Sequence, residues 1–176
     1  MILKEIKDLG SAVTFCKEEG AEEIHLFGSS MGALVCLLFA GRNRNSISSL
    51  TLIAIPFDIE KLLLKATGIA DLRVLPKEGH SSFDGILLKN SFFLEAKTIN
   101  PLSAAKEITV PTLVIHGAND EVVDIENAYR LVSTLTRNRK LVVIGDGDHN
   151  LTRPEDIRTI RDDLLLFLAE NSRFSS

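Results

Sequence analysis

Three stretches of the chain are apolar at nearly every position, rich in β-branched residues and closed by turn formers: "SLTLIAI" at 49–55, "TVPTLVIH" at 109–116 and "KLVVIGD" at 140–146. A strand with one wet face alternates polar and apolar residues. These stretches do not alternate, so both of their faces must be covered, which is the condition of a parallel strand inside an α/β sheet. The segments between them carry helical spacing. Ile2, Ile6, Leu9, Val13 and Cys16 predict an amphipathic helix over 2–19, stopped by Gly20. "EIHLF" at 23–27 reads as a short strand, and "MGALVCLLFAG" as a helix apolar nearly all round, ended by Gly41. "DIENAYRLVSTL" is a helix by spacing. In "TRPEDIRTIRDDLLLFLAE", Thr152 and Glu155 form a capping box, and Ile157, Ile160, Leu164 and Phe167 share one face. The expectation is an α/β fold: a mostly parallel sheet of about four strands flanked by helices, in a single domain over residues 1–176.

Size and charge narrow the function. A chain of 176 residues has room for one good core. With 45% apolar residues, a formal net charge of −4 and no basic stripe, it is not expected to bind nucleic acid. The longest apolar run, 33–40, is too short for the roughly 20 residues that span a bilayer, and "MILKEIKDLG" mixes acids with its lysines, so neither a membrane span nor a secretory signal is expected. Cys16 and Cys36 both fall on apolar helix faces, predicting buried thiols in a reducing, cytoplasmic setting. No metal and no cofactor is expected.

One region breaks the rhythm. Residues 56–107 are too long for a simple strand-to-helix connection. They carry two helical patterns, "DIEKLLLKATGI" and "FDGILLKNSFFLEA", around the polar "PKEGHSS", then "NPLSAAKEI" with Asn100 as cap and Pro101 in the first turn. Residues 57–99 are read as an insertion that is either a helical lid or an ordinary extra helical layer. Its apolar residues, with Phe57, Leu63, Phe83 and Phe92 foremost, are candidate substrate contacts, although core packing accounts for them equally well.

The candidate chemistry starts at "LFGSSMG". Gly28-x-Ser30-x-Gly32 lies between an apolar strand and an apolar helix, the pattern of a nucleophile elbow in which a sharp turn exposes the serine. A serine hydroxyl needs a base, normally histidine, and the base needs a carboxylate to hold its tautomer. Asp120 follows the strand that ends at His116, and His149 follows the next strand. Ser30 would attack, His149 would move the proton and Asp120 would orient the imidazole. The Met31 N–H, at the start of the helix, would be one oxyanion donor. Ser29 reads as a small turn residue, His116 as structural and His80 as a solvated residue of the insertion. Asp124, Asp146 and Asp148 are alternative acids, Asp124 reading better as a helix cap and the other two as loop acids.

"LFGSSMGA", "VPTLVIHGANDEVV" and "GDGDHN" together resemble the α/β-hydrolase superfamily, over residues 2–170, and "NPLSAAKEITVPTLVIHGANDEVV" is most similar to its carboxylesterase, feruloyl-esterase and serine-aminopeptidase-like branches. The resemblance implies hydrolysis of a carboxylic ester or related acyl bond of a small-molecule substrate, through a Ser30, His149 and Asp120 triad. It also implies several strands before the elbow and a second oxyanion donor from a loop there, often marked by His-Gly. Only 29 residues precede Ser30, none of them such a motif, so two or three strand–helix units of roughly 30 residues have no counterpart. Three readings follow: a serine hydrolase, a binding module that keeps the pocket without catalysis, or a C-terminal fragment, whether of a longer chain or as one half of a two-chain enzyme. The missing strands leave residues 23–27 as a sheet edge expected to pair with a second copy or with a separate N-terminal half.

Overall fold

The computed structural model describes residues 1–83, 85–136 and 138–172. In chain order the first elements are α1 (Ile2–Glu18), β1 (His25–Ser29), α2 (Met31–Arg42), β2 (Ser49–Ile53) and α3 (Ile59–Thr67). A single 3₁₀ turn at Leu72–Val74 precedes β3 (His80–Phe83), β4 (Ile86–Lys89), α4 (Asn90–Ala96) and α5 (Pro101–Lys106). The chain ends with β5 (Thr112–Gly117), α6 (Glu126–Thr134), β6 (Arg139–Ile144) and α7 (Pro154–Asn171).

Four strands make one sheet in the order β1-β2-β5-β6, every pairing parallel. β2 and β5 are buried along their whole length, the polar Ser49, Thr51, Thr112 and His116 included, as strands covered on both faces are. The pleat divides them between two layers. Leu50, Leu52 and Val114 pack into the large core with α1 to α6, while Ile53, Leu113 and Ile115 join Ile144 and Phe167 beneath α7. α2 is the most buried helix, with every residue from Ala33 to Ala40 inside. That explains why its sequence has no polar stripe. Because the strands run the same way, the loops after β1, β5 and β6 leave the sheet at one edge, the usual place for a site in such folds.

Four local expectations are corrected. β1 starts two residues later than 23 and runs on to Ser29, since Gly28 and Ser29 continue the ladder opposite Leu52 and Ile53. The stretch "FDGILLKNSFFLEA" is not one helix. Its first part is the return strand of an antiparallel hairpin, His80 opposite Lys89 and Phe83 opposite Ile86, and only Asn90–Ala96 is helical. Gly79 and Gly85, at φ 106° and 78°, put left-handed turns at each end of the first strand, which a helix could not pass through. Asp84 lies outside the described residues, and the insertion is a helix–hairpin–helix unit rather than a helical one. The capping box of Thr152 and Glu155 does not form, because α7 begins one residue late for it, at Pro154. The Arg153 guanidinium instead donates to both carboxylate oxygens of the fully buried Asp156, at 2.9 and 2.7 Å. Finally, Cys16 is exposed and only Cys36 is buried, its thiol pushed up to about 11 by burial. Among the described residues no helix is long and apolar enough to cross a membrane.

Candidate active site

Ser30 sits between β1 and α2 at φ 51°, ψ −120°, a conformation that costs a non-glycine residue about 1–3 kcal/mol. Hydrogen bonds on both sides hold it there. Its N–H donates to the Ile53 carbonyl at 2.8 Å, and its carbonyl accepts from the Ala33 and Leu34 N–H groups. The strand and the helix meet so closely that a Cβ on Gly28 would stand 2.5 Å from the Gly32 carbonyl oxygen and 2.7 Å from the Ala33 nitrogen. Gly28 is therefore obligatory. Gly32 is not held to glycine in this way, for a Cβ there would meet nothing within 4 Å. The Met31 N–H opens α2, where a helix leaves its first donors without intrahelical partners.

The loops after β5 and β6 are joined backbone to backbone. Ala118 N–H donates to the Ile144 carbonyl at 2.8 Å and Asn119 N–H to the Gly147 carbonyl at 2.9 Å. Any Cβ on Gly117 would collide with the Gly147 carbonyl, so glycine is needed on that side of the junction. Asp120 follows directly. Its Oδ1 accepts from the Val122 and Val123 N–H groups at 2.9 and 2.7 Å, and its Oδ2 lies 2.8 Å from His149 Nδ1. His149 Nε2 in turn lies 3.0 Å from Ser30 Oγ. The three residues singled out in sequence thus stand in one hydrogen-bonded line. Burial alone would raise the Asp120 pKa, but the hydrogen bonds from His116, His149 and the Val123 N–H outweigh it and hold the carboxyl well below the usual carboxylate range.

The other candidates take different places. Asp148 is a turn residue, its Oδ1 accepting from the Asn150 and Leu151 N–H groups and so shaping the loop that presents His149. Asp124 Oδ1 accepts from the Glu126 N–H at 2.9 Å, at the start of α6. Asp146, Ser29 and His80 are exposed. His116 is fully buried, and its Nε2 stands 2.8 Å from the Val123 carbonyl and 3.3 Å from Asp120 Oδ2. Sequence reasoning made it a structural residue, and only its place four residues before Asp120 hinted at this contact.

Ser30, Met31 and His149 open into a cavity of about 410 Å³. Leu63, Phe83 and Phe92 line it, joined by Ile59, Leu62 and Leu88 from the same inserted segment and by Glu5 of α1. Phe57 does not line it; it is 4% exposed in the large core. A wider groove of about 860 Å³ runs along α1 past Gly10, Thr14 and Phe39 and does not touch the serine.

Comparison with known proteins agrees with this fold. The Est1E protein of Butyrivibrio proteoclasticus, known also with ferulic acid bound, superposes with a TM-score of 0.82 at 24% identity, over 96% of this chain and 72% of that one. The Bacillus subtilis (strain 168) protein YqkD is 25% identical over 163 residues, which are 92% of this chain and 53% of YqkD. The bifunctional esterase/perhydrolase DCH of Acinetobacter calcoaceticus is 37% identical over 65 residues, 37% of this chain and 23% of DCH. The chain thus spans about half the length of YqkD. The model of the prolyl oligopeptidase family matches residues 4–174, and with the fold and its structural neighbours this establishes that the chain belongs to that family, within the α/β-hydrolase superfamily.

Proposed function

We propose that the protein is a serine hydrolase that cleaves a carboxylic ester or related acyl bond through an acyl-enzyme intermediate. The observation that carries this is the 3.0 Å contact between His149 Nε2 and the hydroxyl of a serine held in the strained elbow. In the first step His149 takes the Ser30 proton as Oγ attacks the acyl carbon, and the carbonyl oxygen becomes an oxyanion facing the Met31 N–H. His149, now cationic and paired to Asp120, gives the proton to the leaving alkoxide as the C–O bond breaks. Water then attacks the acyl-Ser30 ester, with His149 taking a proton from it, and the carboxylic acid leaves while Ser30 regains its hydrogen. Asp120 keeps the imidazole hydrogen on Nδ1, so that Nε2 is free to accept.

The cavity's apolar wall favours an apolar or aromatic acyl group, with Phe83, Phe92 and Leu63 as contacts. The inserted segment 57–99 serves as the lid over the serine. The experiment is reaction with a fluorophosphonate probe, which modifies an activated serine. The protein is expected to be labelled, and Ser30→Ala to lose both labelling and p-nitrophenyl ester turnover, the latter by about 10⁶-fold. Equal labelling of the two proteins removes Ser30 as the nucleophile.

A further inference from the structure

His116 is a second imidazole on the carboxylate that orients the first, and no step above uses it. Its side chain is fully buried, and its Nδ1 has no hydrogen-bond partner. Its Nε2 meets two acceptors and no donor: the Val123 carbonyl at 2.8 Å and Asp120 Oδ2 at 3.3 Å. An imidazole so placed carries its hydrogen on Nε2, because a hydrogen on Nδ1 would be a buried donor with nothing to bond. The Nε2–H donates to the Val123 carbonyl, and Asp120 Oδ2 stands 3.3 Å from the same nitrogen. Asp120 Oδ2 thus faces both imidazoles, His149 Nδ1 at 2.8 Å and His116 Nε2 at 3.3 Å, while Oδ1 is held by two backbone N–H groups. The Val123 residue closes the arrangement, its N–H on one carboxylate oxygen and its carbonyl on His116.

We infer that His116 is a positioning residue for the proposed hydrolase chemistry: the Nε2–H edge of its buried ring, 3.3 Å from Asp120 Oδ2, limits the rotation of the carboxylate and draws off part of the charge that would otherwise act on His149. The inference rests on the triad reading for its catalytic consequence, though not for its physical one. A carboxylate that keeps all its charge for one imidazole stabilises the imidazolium more and makes His149 more basic. The groups on the elements around His149 are Ser30, Asp120, Glu5 in the cavity lining, Asp146 and Asp148 in its own loop, and Glu121 with Lys65, whose ammonium donates to the Glu121 carbonyl at 3.5 Å. Only the His116 contact changes in the variants below.

The test follows the His149 ring resonances by NMR through a pH titration of the unmodified chain, His116→Leu and His116→Gln, alongside fluorophosphonate labelling rates at each pH. The Leu variant should raise the His149 midpoint by about one pH unit, an approximately tenfold change in its proton affinity. It should slow labelling about tenfold on the acid side and recover it above the new midpoint. Gln, whose amide N–H reaches where the imidazole Nε2–H does, should restore both. Should the Leu variant fail to fold, His116→Asn, too short to reach Oδ2, takes its place with the same expectation. A His149 midpoint that stays put or falls, a loss of labelling equal at all pH values, or a Gln variant no better than Leu overturns the inference. Absence of labelling in every protein, with the midpoint still moving, instead sinks the hydrolase reading and leaves the electrostatic role of His116 standing.

Discussion

The cavity has a floor and a roof, and the two are held together by different means. The floor is backbone: the elbow at Ser30, the Gly117–Gly147 junction, and Asp120 gripped by two N–H groups. The roof, residues 57–99, is held by side chains. β3 and β4 bond to each other and to no other strand, and Ile86 and Leu87 are 63% and 71% exposed. What fastens that hairpin is Asn90, 2% exposed, whose amide donates to the Pro76 and Glu78 carbonyls and accepts from the Ser81 hydroxyl. Backbone junctions tolerate almost no substitution, whereas side-chain fastenings can be altered one at a time. A site whose chemistry lies on the floor and whose lining comes from the roof can keep a reaction while changing what it accepts.

The sharpest way to break this contrast is on the floor. Asp120→Asn keeps the shape but removes the charge that holds the His149 hydrogen on Nδ1, and turnover is expected to fall by about 10⁴-fold while the cavity survives. The same variant reports through pH. The Asp120 carboxyl is held below its unfolded value of about 4, so it adds stability at pH values above that point, and the contribution is lost as pH falls through the folded value. Acid unfolding of the unmodified chain should be steeper below about pH 4 than that of Asp120→Asn. Parallel acid limbs in the two proteins would show that Asp120 is not so held.

The roof should answer in the opposite way. Asn90→Ala removes three hydrogen bonds from a buried position and leaves two carbonyls to find water, at an expected cost of about 2 kcal/mol in urea unfolding. Fluorophosphonate labelling of Ser30 should stay within about threefold, since none of the floor's contacts passes through Asn90. Labelling that collapses with the hairpin would mean that the roof shapes the floor after all.

How much could be read in advance follows the same division. The parallel strands, the elbow, Asp120, His149 and the Asn100 cap, whose side chain accepts from the Ser103 N–H, were all legible. Each is written locally, in an apolar run or in a turn residue beside one. The hairpin was not, because Phe83, Ile86 and Leu87 fall at i, i+3 and i+4, the spacing of a helix face, and what rules the helix out is the backbone of Gly79 and Gly85. The Arg153–Asp156 pair was hidden by a better-known pattern one residue earlier. The approach of His116 to Asp120 depends on how the loop after β5 folds back, which no period in the sequence encodes.

The smallest expected effect on the site comes from the floor's outer strand, and it concerns what lies beyond the sheet. Among the described residues β1 is hydrogen-bonded to β2 alone, and α7 packs on β2, β5 and β6 but not chiefly on β1. Phe27 is left 52% exposed on this strand, whose Leu26 and Gly28 are buried. A strand with an open edge and an apolar face is a template for another strand. The five residues of β1 are self-complementary about their centre: a two-fold axis through Phe27 would set a second β1 antiparallel to the first, His25 opposite Ser29 and Phe27 against its own copy. We therefore expect sedimentation over a concentration series to show a dimer, and Phe27→Lys to shift it to monomer by placing two like charges across the axis. Labelling of Ser30 should not change, because the Ser30 hydroxyl is held by His149 and its N–H by Ile53, inside one chain. A protein that stays monomeric to high concentration would leave the β1 edge to a strand from another chain, and a Phe27→Lys variant that dimerises as before would move the interface off β1 altogether.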